Sequence, residues 1–105
     1  MRDLLFRPAA RDDPANLYRF IADRSGSPEQ AIAYIRRIRA ACERLRAFPE
    51  LGRRRDDIHP GLRLIGFERR VVIGYKLLPS GAIEIGRVLY GGRDHETLVA
   101  REEGP

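Results

Sequence analysis

A chain of 105 residues with a formal charge of +5 and a pI near 10.1 is long enough for one domain with one modest core. No apolar run approaches the roughly 18–20 residues of a membrane helix. The apolar centre Leu4-Leu5-Phe6 is too short for a secretory leader, so the expected location is the cytoplasm. The single cysteine, Cys42, excludes an internal disulfide and argues against a cysteine-based metal site; neither a metal nor a cofactor is expected. All the basic residues except Lys76 are arginine. Arginine stays charged and forks hydrogen bonds to carboxylate or phosphate, whereas lysine can be tuned into a base. The composition leans towards binding anions over moving protons. Solvated arginine faces are equally ordinary.

In chain order, residues 3–7 read as a short strand that Pro8 stops. Asp12 and Asp13 before Pro14 look like a helix cap with proline at the first helical position. The helix they predict presents Leu17, Phe20 and Ile21 and ends at Ser25-Gly26. Ser27-Pro28-Glu29 repeats the start signal. Ala31, Ile35, Ile38, Cys42 and Leu45 then recur at helical spacing, flanked by Tyr34, Ala41 and Phe48. Pro49 ends this second helix, and the short link makes the pair an antiparallel hairpin. Arg36, Arg37, Arg39, Arg44 and Arg46 read as its solvated face, and Cys42 as a small buried apolar group.

Residues 51–57 form a polar link in which Arg53, Arg54 and Arg55 meet Asp56 and Asp57, a pattern that predicts local pairing; His59 has no evident role. Strands follow near 62–67, 70–78 and 82–90, with a tight connection at Glu68-Arg69 and a hairpin turn at Pro79-Ser80-Gly81. A short tail helix is predicted over 95–101, with fraying at 102–105. The domain is expected to span 1–98 and the tail 99–105.

The strand over 70–78 is apolar on both parities, with Val71, Ile73, Tyr75 and Leu77 on one side and Val72, Gly74, Lys76 and Leu78 on the other. Such a strand expects cover on both faces, and the helices supply one. A partner segment, as a helix or an added strand, would supply the other. Arg87 shares parity with Ile83, Ile85 and Leu89, which aims a charge into an apolar face. Either a bulge at Gly86 re-aims it or it meets an anion, with Glu68, Glu84 and Asp94 as candidate partners.

The pieces RPAARDD, FIADRSGSPEQAIAYI, RLRAFPELGRRRDDIHPGLR, VVIGY and IEIGRVLYGGRD together resemble the RelE/ParE superfamily of bacterial type II toxins, and its ParE branch in particular. The likeness covers about residues 4–98; FPELGR…PGLR together with RVLYGGRD carries its specificity. It implies an α+β fold in which an N-terminal strand and a two-helix hairpin pack on an antiparallel sheet. It also implies a plasmid-stabilisation toxin that arrests growth and is neutralised by a ParD-like antitoxin. ParE-like members poison DNA gyrase; RelE-like members cleave mRNA on the ribosome. Nucleic acid then enters only through the toxin–antitoxin complex on operator DNA.

Arg63 and Arg87 match arginine positions that the superfamily shares, while the catalytic lysines of the RelE branch have no evident match, with Arg53–Arg55 occupying the linker instead. Tyr90 stands where a histidine is frequent, and His95 is the one late histidine. An RNase reading would use Arg63, Arg87, Tyr90 and His95. The departures favour a non-enzymatic gyrase inhibitor, with Arg53, Arg63, Tyr75, Lys76, Arg87 and Arg93 expected at the target or antitoxin interface. The alternatives are a RelE-type endonuclease and an inactive relative that only binds its antitoxin and represses the operon.

Overall fold

The computed structural model describes residues 2–68 and 70–90. Its elements are β1 (Leu4–Phe6), α1 (Pro8–Ser25), α2 (Pro28–Ala47), β2 (Arg53–Arg54), β3 (Leu62–Phe67), β4 (Val71–Leu77) and β5 (Ile83–Tyr90). The expected tail helix and frayed end, with Arg93 and His95, lie outside the described residues. The strands form one sheet in the order β1-β5-β4-β3-β2. Every neighbouring pair is antiparallel except β1 with β5. The sheet is therefore mixed, where a purely antiparallel one was expected. No tight turn joins β1 to β5, so nothing forces them to run in opposite directions.

The second helix follows its sequence signals. Ser27 caps α2 by accepting from the Gln30 N–H at 3.2 Å, with Pro28 in the first turn. Ala31, Ile38, Cys42 and Leu45 are buried. Phe48 departs from the predicted stripe and is 57% exposed. It is the C-cap residue, with φ −129° and ψ 70°, so its side chain leaves the helical period.

The first helix starts six residues earlier than the Asp-Asp-Pro signal predicts. Pro8 occupies its first turn, and Pro14 lies inside it. A proline within a helix removes one hydrogen bond and is normally disfavoured. Here the extra turns bring Ala10, Asp13 and Leu17, spaced three and four apart, onto one buried face. Asp13 does not cap its own helix, because its carboxylate is used by β5.

The hairpin between β4 and β5 closes as predicted. Leu78 N–H donates to Ala82 O at 2.8 Å, and Gly81 takes φ +92°, a backbone state that favours glycine. Further along, Gly74 opposes Arg87 while Tyr75 opposes Ile85, leaving Gly86 as an extra residue: the bulge lies where the sequence suggested it. The bulge resets the alternation. Ile83, Ile85 and Val88 join Val71, Ile73 and Tyr75 under the helices in the main core. Leu89 is turned to the opposite face, where it clusters with Leu62, Leu64 and Ile58. The link carrying Ile58 thus covers part of the face that was expected to lack cover from this chain.

Candidate functional site

Arg87 is held by a carboxylate that none of the predicted pairings included. Arg87 Nε and Nη2 donate to Asp13 Oδ2 and Oδ1 at 2.9 and 3.0 Å. The Val88 N–H donates to the same Oδ2 at 2.8 Å. β1 pairs with β5 only as far as Ile85, so among the described residues the following stretch of β5 has no strand beside it on that edge. Asp13, from α1, supplies the acceptor that a strand would otherwise give. Asp13 is 7% and the Arg87 side chain 20% exposed, so the pair is largely sheltered from solvent. Of the expected partners, Glu68 instead pairs with Arg37 at 2.9 Å, Glu84 lies 3.8 Å from Arg7, and Asp94 is outside the described residues.

Arg63 and Tyr75 hold the link that follows α2. Their backbones pair across β3 and β4. Arg63 Nη1 donates to Gly52 O at 2.7 Å. The Tyr75 hydroxyl accepts from Gly52 N–H and donates to Pro49 O, both at 2.8 Å. Tyr75 is completely buried, so it is not available as the surface contact the sequence suggested. Gly52 is required by this approach: a Cβ there would fall 2.7 Å from the Tyr75 ring and hydroxyl.

The remaining basic residues are spread over the surface. Arg54 and Arg55 pair with Asp56 and Asp57 at 2.9 and 2.8 Å, as the alternating charges predicted. These guanidiniums hold both carboxyls below the usual carboxylate range. Arg53 is exposed on β2 and makes no ion pair among the described residues. Lys76 lies on the face opposite the helices, with its Nζ 2.8 Å from His59 Nδ1. Tyr90 packs edge-on against Phe20 and Tyr34, at ring-centre distances of 5.0 and 6.3 Å. Asp13, Phe20, Arg87 and Tyr90 line a surface cleft of about 290 Å³.

Of the RNase candidates, Arg87 and Tyr90 line one cleft and Arg63 does not, while His95 lies outside the described residues. Arg63 pairs with Tyr75 on the helix-facing parity, whereas Arg87 pairs with Gly74 on the other. Each guanidinium already has a partner, and Tyr90 is part of an aromatic cluster. Cys42 is buried in the core, and that burial pushes its thiol up to about 12, far from a nucleophile's range. Among the described residues no three His, Cys, Asp or Glu side chains gather as a metal site requires. No described helix is long and apolar enough to cross a membrane.

The residue that sequence reasoning missed is Asp13. Its signal was present as an acid in phase with Ala10 and Leu17, matched by a base in phase with Ile83 and Ile85. Two misplaced opposite charges are best tested against each other before partners are sought elsewhere.

Residues 4–95 match the family model described as "ParE toxin of type II toxin-antitoxin system, parDE". The chain is 32% identical over 90 residues to Toxin ParE1 of Mycobacterium tuberculosis, covering 86% of this chain and 90% of the relative. A solved structure described as the chromosomal ParDE TA system from P. aeruginosa superimposes with a TM-score of 0.74. It covers 88% of this chain and 98% of that one at 22% identity, a likeness of fold.

Proposed function

This chain belongs to the ParE toxin family of type II toxin–antitoxin systems, and we propose that it acts by binding DNA gyrase, without cutting RNA. A ParD-like antitoxin holds it inactive in the cytoplasm and carries it to operator DNA. The observation that supports binding over catalysis is the commitment of Arg63 and Arg87 to the scaffold. RNA cleavage by ribose attack needs basic groups converging on one phosphate and an acid on the leaving oxygen. These two arginines sit on opposite parities of the sheet, each bonded within the fold. The net charge of +5 and the exposed Arg53 suit an acidic antitoxin segment that orders on binding.

Inducible expression of the full chain tests this directly. Growth arrest with filamentation, and DNA breaks that disappear in a strain with resistant gyrase, is the expected result. Cleaved transcripts without DNA damage would replace this reading with the RelE-type one. Normal growth from a verified soluble product would leave an antitoxin-binding, operon-repressing relative. Co-expression with a small acidic-tailed protein encoded beside the toxin should restore growth.

A further inference from the structure

α2 carries five arginines against two glutamates, Glu29 and Glu43, and so supplies +3 of the chain's formal +5. Its arginines divide by what they touch. Arg37 is held by Glu68, and Arg46 by Glu43 and the Arg2 carbonyl. Arg36, Arg39 and Arg44 are exposed, and none of them has a hydrogen-bond or ion-pair partner among the described residues. Elsewhere among the described residues only Arg53 and Arg70 are left in the same condition.

These three arginines share one side of the helix. Ala31, Ile38 and Leu45 mark the buried side of α2. At 3.6 residues per turn, Arg36, Ala40 and Ala47 fall opposite to it, with Ala33 beside them and Arg39 and Arg44 on the two flanks. The exposed alanines form a low floor between guanidiniums on long stems. Arg36 and Arg44 stand about 12 Å apart along the axis, close to the width of the DNA major groove. Two acids share this side. Glu43 is paired with Arg46 at 3.0 Å, and Glu29 lies in the first turn, where the helix dipole and the Ser27 hydroxyl hold it. The dipole also accounts for a cation at Arg44, in the last turn. It does not reach Arg36 and Arg39 in the middle of the helix, where like charges three residues apart repel. The isolated fold gives these two charges no return.

We infer that this face of α2 binds the phosphate backbone of duplex DNA. The forked guanidiniums bond phosphate oxygens, and the alanine floor lets the duplex come close enough for Arg36 and both flanks to reach it together. A protein partner would need pockets for large anchoring side chains, which a floor of alanines does not offer. A duplex needs only closely spaced cations, since it carries one charge per about 1.7 Å. Contacts of this kind read no base sequence, so binding is general to duplexes and sensitive to salt. Nucleic acid then meets the chain directly, where the sequence pointed only to contact through a toxin–antitoxin complex on operator DNA. Assigning the duplex to DNA held by gyrase rests on the toxin reading above; the face itself does not.

The test titrates a fluorescein-labelled duplex of about 20 base pairs with the full chain, read by anisotropy between about 50 and 200 mM salt. Saturable binding is expected, with log K falling against log salt at a slope of about −2.7 for three phosphate contacts. Arg36→Ala combined with Arg44→Ala should bring the slope to about −0.9 and weaken binding at least about tenfold at the lowest salt. Alanine is the best helix former, so α2 is retained in this variant. Arg53→Ala combined with Arg70→Ala removes the same charge from elsewhere on the surface and should leave the slope as it was. Overturning results are no saturable change at the lowest salt, equal slopes in the two double variants, or tighter binding of single-stranded RNA or of polyglutamate than of the duplex. The growth assay is read separately. A chain that arrests growth but ignores the duplex loses this face and keeps the toxin reading; the reverse pattern does the opposite.

Discussion

Removing Asp13 should show how much of β5 depends on one carboxylate. It accepts three hydrogen bonds, at 2.8, 2.9 and 3.0 Å, from a backbone N–H and a two-pronged guanidinium. Asp13→Ala leaves the Val88 N–H without an acceptor, which costs about 1–3 kcal/mol. It also strands the Arg87 charge; breaking a buried pair costs about 3–5 kcal/mol when the remaining charge cannot reach water. Arg87 retains some exposure and a flexible stem, so the combined loss should fall near 3 kcal/mol, towards the lower end of that range. Arg87→Ala should cost a similar amount, because the carboxylate left behind is the more deeply buried partner. The double variant should then be far less destabilised than the sum, with a coupling of about 2–3 kcal/mol. Urea unfolding followed by circular dichroism measures all four corners of the cycle. A coupling below about 0.5 kcal/mol, the value of an exposed pair, would refute the clamp. Asp13→Asn keeps an acceptor for Val88 and removes the charge, so it should fall between wild type and alanine.

Gly52→Ala should destabilise by about 1–3 kcal/mol through overpacking against Tyr75, and Tyr75→Phe by about 1–3 kcal/mol through two orphaned backbone groups; equal unfolding midpoints for both variants and wild type would contradict the pinned link. Cys42 should resist a thiol reagent at pH 8 in the folded chain and react at once in denaturant, since burial raises its thiol to about 12. A raised acid pKa means the unfolded thiol ionises first. The stability this contributes is complete below the ordinary thiol value near 9 and is eroded as pH rises from there towards 12. The Arg37 hydrogen bond lowers the Glu68 pKa, so Arg37→Ala should return that titration to the ordinary glutamate range in an NMR pH series. With the pair intact, its small contribution is present above the ordinary value and lost as pH falls through the lowered one.

Much of the fold was legible because its punctuation is local. Ser27-Pro28 and Pro79-Ser80-Gly81 fix φ and hydrogen-bonding geometry within three residues, so α2 and the β4–β5 hairpin follow from sequence. The start of α1 was not, because Pro8 and Pro14 both satisfy the first-turn preference and the choice is made by distant residues. β2 left no trace, since two exposed arginines have no apolar alternation; register against β3 alone makes them a strand. The parallel β1–β5 pair likewise depends on where the helix hairpin delivers the chain.

The candidate site was misread for a related reason. An arginine on an apolar strand is equally well explained by an anion outside the molecule and by one inside it, and sequence position carries no distance. Asp13 lies 74 residues from Arg87 in the chain. What decides between the readings is the bulge at Gly86. Without it Arg87 would point under the helices; with it, the side chain reaches the open edge where Asp13 waits. Arg87 is bonded within the fold, so its substitution should disturb stability as well as any contact it makes. Loss of toxicity in Arg87→Ala therefore carries no information about the target until stability is measured beside it. Arg53, exposed and unpaired among the described residues, is the substitution whose effect on toxicity reports on binding.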